Sequence, residues 1–240
     1  MSPATTLTEL RQRSDNRDLV RKIRRSVAFL GRVDDVELPE QITTEDHRLI
    51  NLAELGWLAF GLVNRDGYEF GRDIEKSQTD ALGYGDPVRR DVENVARNIT
   101  TTLLEHGKRH IHELVDGADY SGIRPKENGE IVWDEPDLPL FEKYRMIIIG
   151  EDGRITENWL MGRGYGSVEL ETAQSITWNH ADATAQAITL SVDSDPAIGS
   201  PVRNYLGGSA IGKYTDVLGW NPETPAPAPD SGTGDGGSES

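Results

Sequence analysis

Apolar and polar positions alternate along several short stretches of this chain, and longer apolar runs are rare. "SVAFLGRV" reads as a first strand, because alternation with a period of two is the mark of a half-buried strand. "WLAFGLV" and "YEFGRDI" flank Asp66-Gly67, and "MIIIGEDGRI" places Asp152-Gly153 after Met146 to Ile149. Asp-Gly between alternating apolar residues predicts a tight hairpin turn, since glycine takes positive φ cheaply. Both pairs are therefore expected to be hairpin turns.

Residues 92–105 admit two readings. Val92, Val95, Ile99 and Leu103 fit a helical stripe, while Ile99, Thr101 and Leu103 alternate in a β-branched run. The β-branched run favours a strand. "GKRHIHELVDG" predicts a short helix with Ile111, Leu114 and Val115 inward and Gly117 as its stop. Leu19, Ile23 and Val27 stand at helical spacing, so a second short helix is expected there, capped by Asp15 or Asn16. The segment from Asp34 to Glu54 is polar and irregular, with a short helix expected between residues 44 and 52. "GRGYG" is expected to break the chain, "SVELETAQSITWNHADATAQAITLSVDSD" offers two more strands, and "PAIGSPVRNYLGG" reads as a loop or exit segment. About seven strands and one or two short helices predict a mainly β sandwich or barrel.

Composition narrows the function classes. The 240 residues carry a formal net charge of −16 and no cysteine. Thiolate metal sites, disulfides and thiol nucleophiles are thereby excluded. No apolar run approaches the roughly 18 to 20 residues of a membrane span. The polar N-terminus does not read as a secretory signal, so a soluble protein made in the cytoplasm and without a membrane partner is expected. Arg11, Arg13, Arg17, Arg21, Arg24 and Arg25 make residues 1–25 a basic arm. Residues 223–240, "ETPAPAPDSGTGDGGSES", are too poor in apolar side chains to fold and predict a disordered acidic tail. Residues 26–222 remain as one β-domain. An acidic body repels phosphates; ordinary solvated surface and a halophilic host account for the same charge.

Candidate chemistry is sparse. A calcium loop needs oxygen ligands at its first position and glycine at its sixth. Setting Gly67 or Gly153 sixth puts Leu62 or Ile148 first, and neither can ligate. His106 and His110 have helical i, i+4 spacing, but Gly107 stands where a zinc-helix motif needs glutamate. With His112 they read as exposed histidines. "GRGYG" and "LGGSAIG" match no phosphate-binding glycine pattern, and Ser209 lacks the second glycine of a G-x-S-x-G nucleophile elbow, with Ile211 in its place. Asp193 and Asp195 cannot be assigned as acid and base from spacing alone. No catalytic, cofactor or metal site is expected. The arginine arm suits docking on an acidic neighbouring subunit; phosphate contacts are the alternative, without the interleaved aromatics of a single-strand binder.

The order of these features resembles the major tail (tail tube) proteins of long non-contractile-tailed phages and related viruses. The corresponding landmarks are Leu38-Pro39, Gly61 to Gly67, Gly83 to Arg89, Leu103 to Glu105 and Lys108 to Val115, followed by "EKYRMIIIGEDGRITENWLM" and "AITLSVDSD". They span about residues 26 to 220, and the arginine arm is not among them. The resemblance implies a tail-tube-type β-sandwich or barrel with one short flanking α-helix. It implies homohexameric rings stacked into a tube, with other tail proteins as partners and genomic DNA passing through unbound. It places the protein in the virion tail, assembled in the host cytoplasm. On that reading Asp34, Leu38, Pro39, Glu45, Leu49 and Glu54 belong to an inter-subunit loop ordered only in the assembly. Glu169 and Glu171 are the candidate lumen acids. A tail terminator, a head-decoration protein and a nucleic-acid-binding module using the arginine arm are the competing readings.

Overall fold

A computed structural model describes residues 6–105, 107–154 and 156–220. Its strands are β1 (Arg25–Arg32), β2 (Leu58–Ala59), β3 (Val63–Thr79), β4 (Arg89–Leu103), β5 (Tyr144–Arg154), β6 (Glu157–Ala173), β7 (Gln186–Asp193) and β8 (Val202–Gly207). Two α-helices, α1 (Leu7–Ser14) and α2 (Arg109–Asp116), accompany them. All pairings are antiparallel within one eight-stranded sheet of order β2-β1-β5-β6-β7-β4-β3, with β8 on β6. The expected mainly β architecture with a short flanking helix holds; its strands form one curled sheet. The two ends of the strand order, β2 and β3, are separated in the chain by only Phe60, Gly61 and Leu62. The sheet must therefore roll until its edges nearly meet. Phe60 is wholly buried, and its N–H donates to the Ala28 carbonyl on β1.

The inside of the roll is the main core. It takes Ala28 and Leu30 from β1, Ile99 and Leu103 from β4, and Met146 and Ile148 from β5. Val168, Ile188 and Leu190 continue it on β6 and β7, and Ile111 and Leu114 of α2 join it. The helix stops where expected, at Gly117 in the left-handed region. β5 is apolar on both faces, so its outer face also needs a cover. Residues 33–57 supply it: Val36, Leu38, Ile42, Leu52 and Trp57 pack on Ile147 and Ile149. Between residues 44 and 52 the chain makes a turn instead of the expected helix, and a 3-10 turn follows at Leu52–Leu55.

Three further expectations change. "GRGYG" lies inside β6, and its glycines let the covering segment lie flat on the strand. A Cβ at Gly162 would meet Ile42 and Tyr205, and one at Gly164 would meet Leu38. "VRNYLG" within the expected exit segment is β8, paired to β6 from Tyr165↔Val202 to Leu160↔Gly207. The N-terminal helix forms upstream of the predicted place. Thr6 and Glu9 close a capping box on α1, and residues 20–24 run extended into β1. The tail at 223–240 lies outside the described residues.

Candidate functional site

β4 and β7 carry apolar residues on one face only, in "NITTTL" and "AITLSVD". Ile99, Thr101 and Leu103 point into the core, which leaves Asn98, Thr100 and Thr102 on the outer face. The strand register then sets out a polar surface row by row. Glu69 stands opposite Thr100, and Thr100 opposite Thr189. Gly71 faces Asn98, Asn98 faces Ser191, and Ser191 faces Glu169. The Thr100 and Thr189 hydroxyls lie 3.2 Å apart. This face is thus small hydroxyls and amides between acidic flanks, and no part of the 33–57 cover is among its strand partners.

Beyond β7 the hairpin of β3 and β4 continues alone. Residues 98–103 of β4 pair with β7, whereas residues 89–97 pair only with β3. About eight residue pairs at ~3.3 Å each make a ribbon roughly 25 Å long. A two-stranded ribbon is marginal in water without a partner. Its two faces differ chemically. Ile74 and Val95 share one face, flanked by Arg72 and Arg97, with Lys76 and Val92 beyond a bulge. Asp73 and Glu75 extend the acidic, polar face. Ile74 is 40% exposed and Val92 58% exposed. Among the described residues, β3 also leaves its outer edge without a strand partner, as does β8 on the side away from β6.

The two Asp-Gly pairs fall inside strands. Between Val63↔Leu103 and Tyr68↔Thr101 the chain of β3 carries four residues against one, so Asp66 and Gly67 form a bulge within a strand pair and not a hairpin turn. The bulge is held by Thr101, whose hydroxyl donates to the Gly67 carbonyl at 2.8 Å, and by the Asn64 amide on Asp66 at 2.8 Å. Asp152 pairs with Trp159 and Gly153 with Asn158, one step before the turn that joins Arg154 to Glu157. The local sequence signal for positive φ was sound: Gly67 has φ 75° and Gly153 φ 93°. Its assignment to the turn itself was not.

Asp152 ties down the basic arm. One carboxylate oxygen accepts from the Gly153 N–H at 2.8 Å, the other from the Lys22 N–H at 3.3 Å. Arg21 and Arg24 approach it at 3.9 and 3.5 Å, and Arg25 bridges Glu151 at 3.1 Å. The Gly153 amide first, and then the Lys22 amide and the Arg24 and Arg21 cations, hold the Asp152 carboxyl below the ordinary carboxylate range. Arg11 pairs with Asp15 along the arm at 3.4 Å, Arg13 lies in α1, and Arg17 opens a 3-10 turn.

The loop residues separate into two groups. Leu38 is buried under its own domain, and the Pro39 carbonyl accepts from the Tyr205 hydroxyl at 2.6 Å and from Arg203 at 3.1 Å. Asp34, Glu45, Leu49 and Glu54 remain exposed. The segment is ordered by its own sheet, because β5 needs a cover. Glu169 sits on the polar face; Glu171 falls at a bulge between Leu170 and Thr172 and is exposed.

His106 lies outside the described residues. The His110 ring is 2.9 Å from the Ala59 carbonyl, and burial lowers its pKa; His112 stands 3.7 Å from Asp116 and against Trp133. Among the described residues no three metal-ligating side chains cluster. At the α2 end, a groove of about 1050 Å³ opens between the helix and two loops, 118–143 and 174–185. Tyr120, Ile131, Trp133, Ile176 and Trp178 line it. Burial pushes the Tyr120 hydroxyl up to about 12. Scattered aromatics in polar loops gave the sequence no periodic signal for this groove. No described helix is long and apolar enough to cross a membrane.

No known protein family matches the chain, and no curated protein does either. Among solved structures it is similar to a chain of the sheath-tube complex of an extracellular contractile injection system, PVC, in the extended state. That match has a TM-score of 0.40 and 14% identity, over 85% of this chain and 99% of the other. A second similarity is to the tube-terminating cap of the anti-feeding prophage, with TM-score 0.36 and 14% identity over 80% of this chain and 95% of that one.

Proposed function

We propose that this chain is a structural subunit of a viral tail tube: copies join side by side into homohexameric rings, and the rings stack around a lumen that passes genomic DNA. The observation that carries the reading is the β3–β4 ribbon. It leaves the domain with unpaired edges, exposed apolar side chains on one face and an acidic polar face on the other. Unpaired edges are a liability that neighbours in a ring remove. The free edges of β3 and β8 are the natural contacts between neighbours. The surface of Asn98, Thr100, Thr102, Thr189 and Ser191, flanked by Glu69, Asp73, Glu75 and Glu169, would then face the lumen. Carboxylates beside small hydroxyls repel phosphates and offer no base-stacking aromatic, so DNA slides without binding. The exposed residues Glu45 and Leu49 would meet the next subunit from the cover segment. The role is architectural and needs no catalysis or cofactor, and its place is the virion tail together with other tail proteins.

Electron microscopy of the purified protein at rising concentration is the test. Rings or tubes of uniform diameter are the expected result. Monomers at every concentration and salt level, with the domain folded, would sink the proposal.

A further inference from the structure

Resting on the tube reading, we infer that the basic, apolar face of the β3–β4 ribbon docks on the acidic, apolar loop of residues 126–140 of a second copy. The ribbon face in question continues the core face of β4 outward. Phe70 pairs with Ile99, Arg72 with Arg97 and Ile74 with Val95; Lys76 opposite Val92 and Gln78 opposite Arg90 carry it on. Arg72, Lys76, Arg90 and Arg97 thus border Ile74, Val92 and Val95. The register puts Asp73, Glu75 and Asp91 on the far face and leaves Glu93 at the bulge, so the near face is net positive. The ribbon's own ion pair, Arg89 with Asp91, belongs to the far face. Arg97 donates to the Val95 carbonyl at 3.2 Å, and among the described residues none of the four cations has a carboxylate partner.

The loop is the complement. Residues 124–140 form no helix or strand and are exposed throughout. Ile131, Trp133 and Glu135 line the groove beside α2, whereas Val132, Asp134, Asp137, Leu138 and Leu140 are outside its lining. Leu138 is 88% exposed, Leu140 80% and Val132 47%. Large apolar side chains gathered in this way on a polar surface mark a protein contact. Lys126 pairs with Glu130, and Arg32 with Glu142. Glu127, Asp134, Glu135 and Asp137 are then the carboxylates left without an ion pair among the described residues. The nearby cations are engaged: Arg124 turns back onto the Ser121 and Ile123 carbonyls, and Arg109 of α2 pairs with Glu113 at 3.3 Å. Four unpaired cations among apolar side chains therefore face four unpaired carboxylates among apolar side chains. Complementary potentials of this kind select a partner and its register.

Both surfaces stand on one chain, and they cannot meet within it. β4 ends at Leu103, opposite Gln186 in the lining of the α2 groove, whose wall is the loop. Val92 lies eleven residues back along β4, roughly 35 Å away at ~3.3 Å per residue. A contact between opposite ends of identical subunits is heterologous and passes from copy to copy. The ribbon face covers about 25 by 10 Å, well below the roughly 800 Å² that each partner of a stable free complex buries. The contact accordingly holds where other contacts of the assembly add to it.

The chain has no native cysteine, so paired single-cysteine variants report contacts cleanly. Protein bearing Ile74→Cys is mixed with protein bearing Leu138→Cys under conditions in which the unmodified chain forms tubes, and a short bis-maleimide is added. A covalent heterodimer is the expected product, absent when Leu7→Cys replaces Leu138→Cys. It should be lost when Arg72→Glu and Lys76→Glu are added to the Ile74→Cys chain. It should be lost likewise when Asp134→Lys and Asp137→Lys are added to the Leu138→Cys chain, and restored when the two charge-reversed chains are mixed. A misfolded variant would not regain the product in that mixture. Loss without restoration overturns the charge match. Tubes that form without the first heterodimer overturn the docking and leave the tube reading standing. Capture of Ile74→Cys by Leu206→Cys of β8 in place of Leu138→Cys puts the ribbon on another surface and overturns it too. Absence of any assembly by the unmodified chain overturns both.

Discussion

The Arg21 guanidinium lies over the Trp159 indole, with its central carbon 4.1 Å from the ring centroid and Tyr214 packed on the same indole at 5.2 Å. One side chain thus clamps the basic arm to the start of β6, next to the carboxylate of Asp152. A cation–π contact of this kind is worth about 0.5–2 kcal/mol. Arg21→Ala should therefore release the arm without unfolding the domain. Tryptic cleavage at Arg17 and Lys22 should become faster, while the urea midpoint of the domain shifts only slightly. Unchanged cleavage rates would show that Arg24 and Lys22 suffice to hold the arm.

The same joint should be acid-sensitive. Asp152 has its pKa lowered from 3.8 in the folded state. A depressed carboxylate contributes stability that is present above its unfolded pKa and is lost as pH falls through the folded value. Denaturation midpoints should accordingly fall as pH drops below about 4, in the range where the unfolded carboxylate takes up its proton first. Asp152→Asn should flatten that part of the profile and lower stability at neutral pH. A profile of identical shape in the variant would remove Asp152 from the account.

Arg145 and Asp195 form a second, deeper joint. Their side chains are 8% and 6% exposed and meet at 3.1 Å, and Arg145 also donates to the Val36 carbonyl. The pair fastens the covering segment to β5 and to the loop after β7. Removing one member strands a buried charge, at a cost of about 3–5 kcal/mol. Asp195→Ala should lower stability by that amount in urea titration. Adding Arg145→Met should recover part of it, since an apolar pair avoids the stranded charge. A double variant weaker than Asp195→Ala alone would mean that the bond to Val36 dominates.

These joints explain which parts of the fold were legible. "NITTTL" and "AITLSVD" announce their strands because one face is core and the other is wet. "RMIIIG" announces a strand and also a cover, because no second wet face remains. The cover itself gave no periodic signal: Val36, Leu38, Ile42 and Leu52 are spaced by the shape of β5 and not by a helix or strand of their own. Glycines in "GRGYG" suggested a break, although their purpose is the close approach of Leu38 and Ile42. The Asp-Gly pairs reported positive φ correctly, but a bulge and a hairpin require the same backbone. The long-range pairing of Thr101 with Gly67 decides between them, and no local pattern encodes it.

The β3–β4 ribbon offers the sharpest separation of folding from assembly. Residues 73–94 have strand partners only within the ribbon, so the barrel-like core of Ile99, Leu103 and their neighbours does not depend on them. Surface changes away from a core usually alter stability by no more than about 0.5 kcal/mol. Ile74→Asp with Val92→Asp should therefore leave the urea midpoint of the domain near that of the unmodified chain. The same pair places charge where a neighbouring subunit would bury apolar area, so rings and tubes should vanish from micrographs. Replacing residues 73–96 with a two-residue Asn-Gly turn between the paired Arg72 and Arg97 should act in the same way, because that dipeptide suits a tight hairpin. Tubes that persist in both variants would move the subunit contact elsewhere. A domain that unfolds in both would make the ribbon part of the core and not an assembly device.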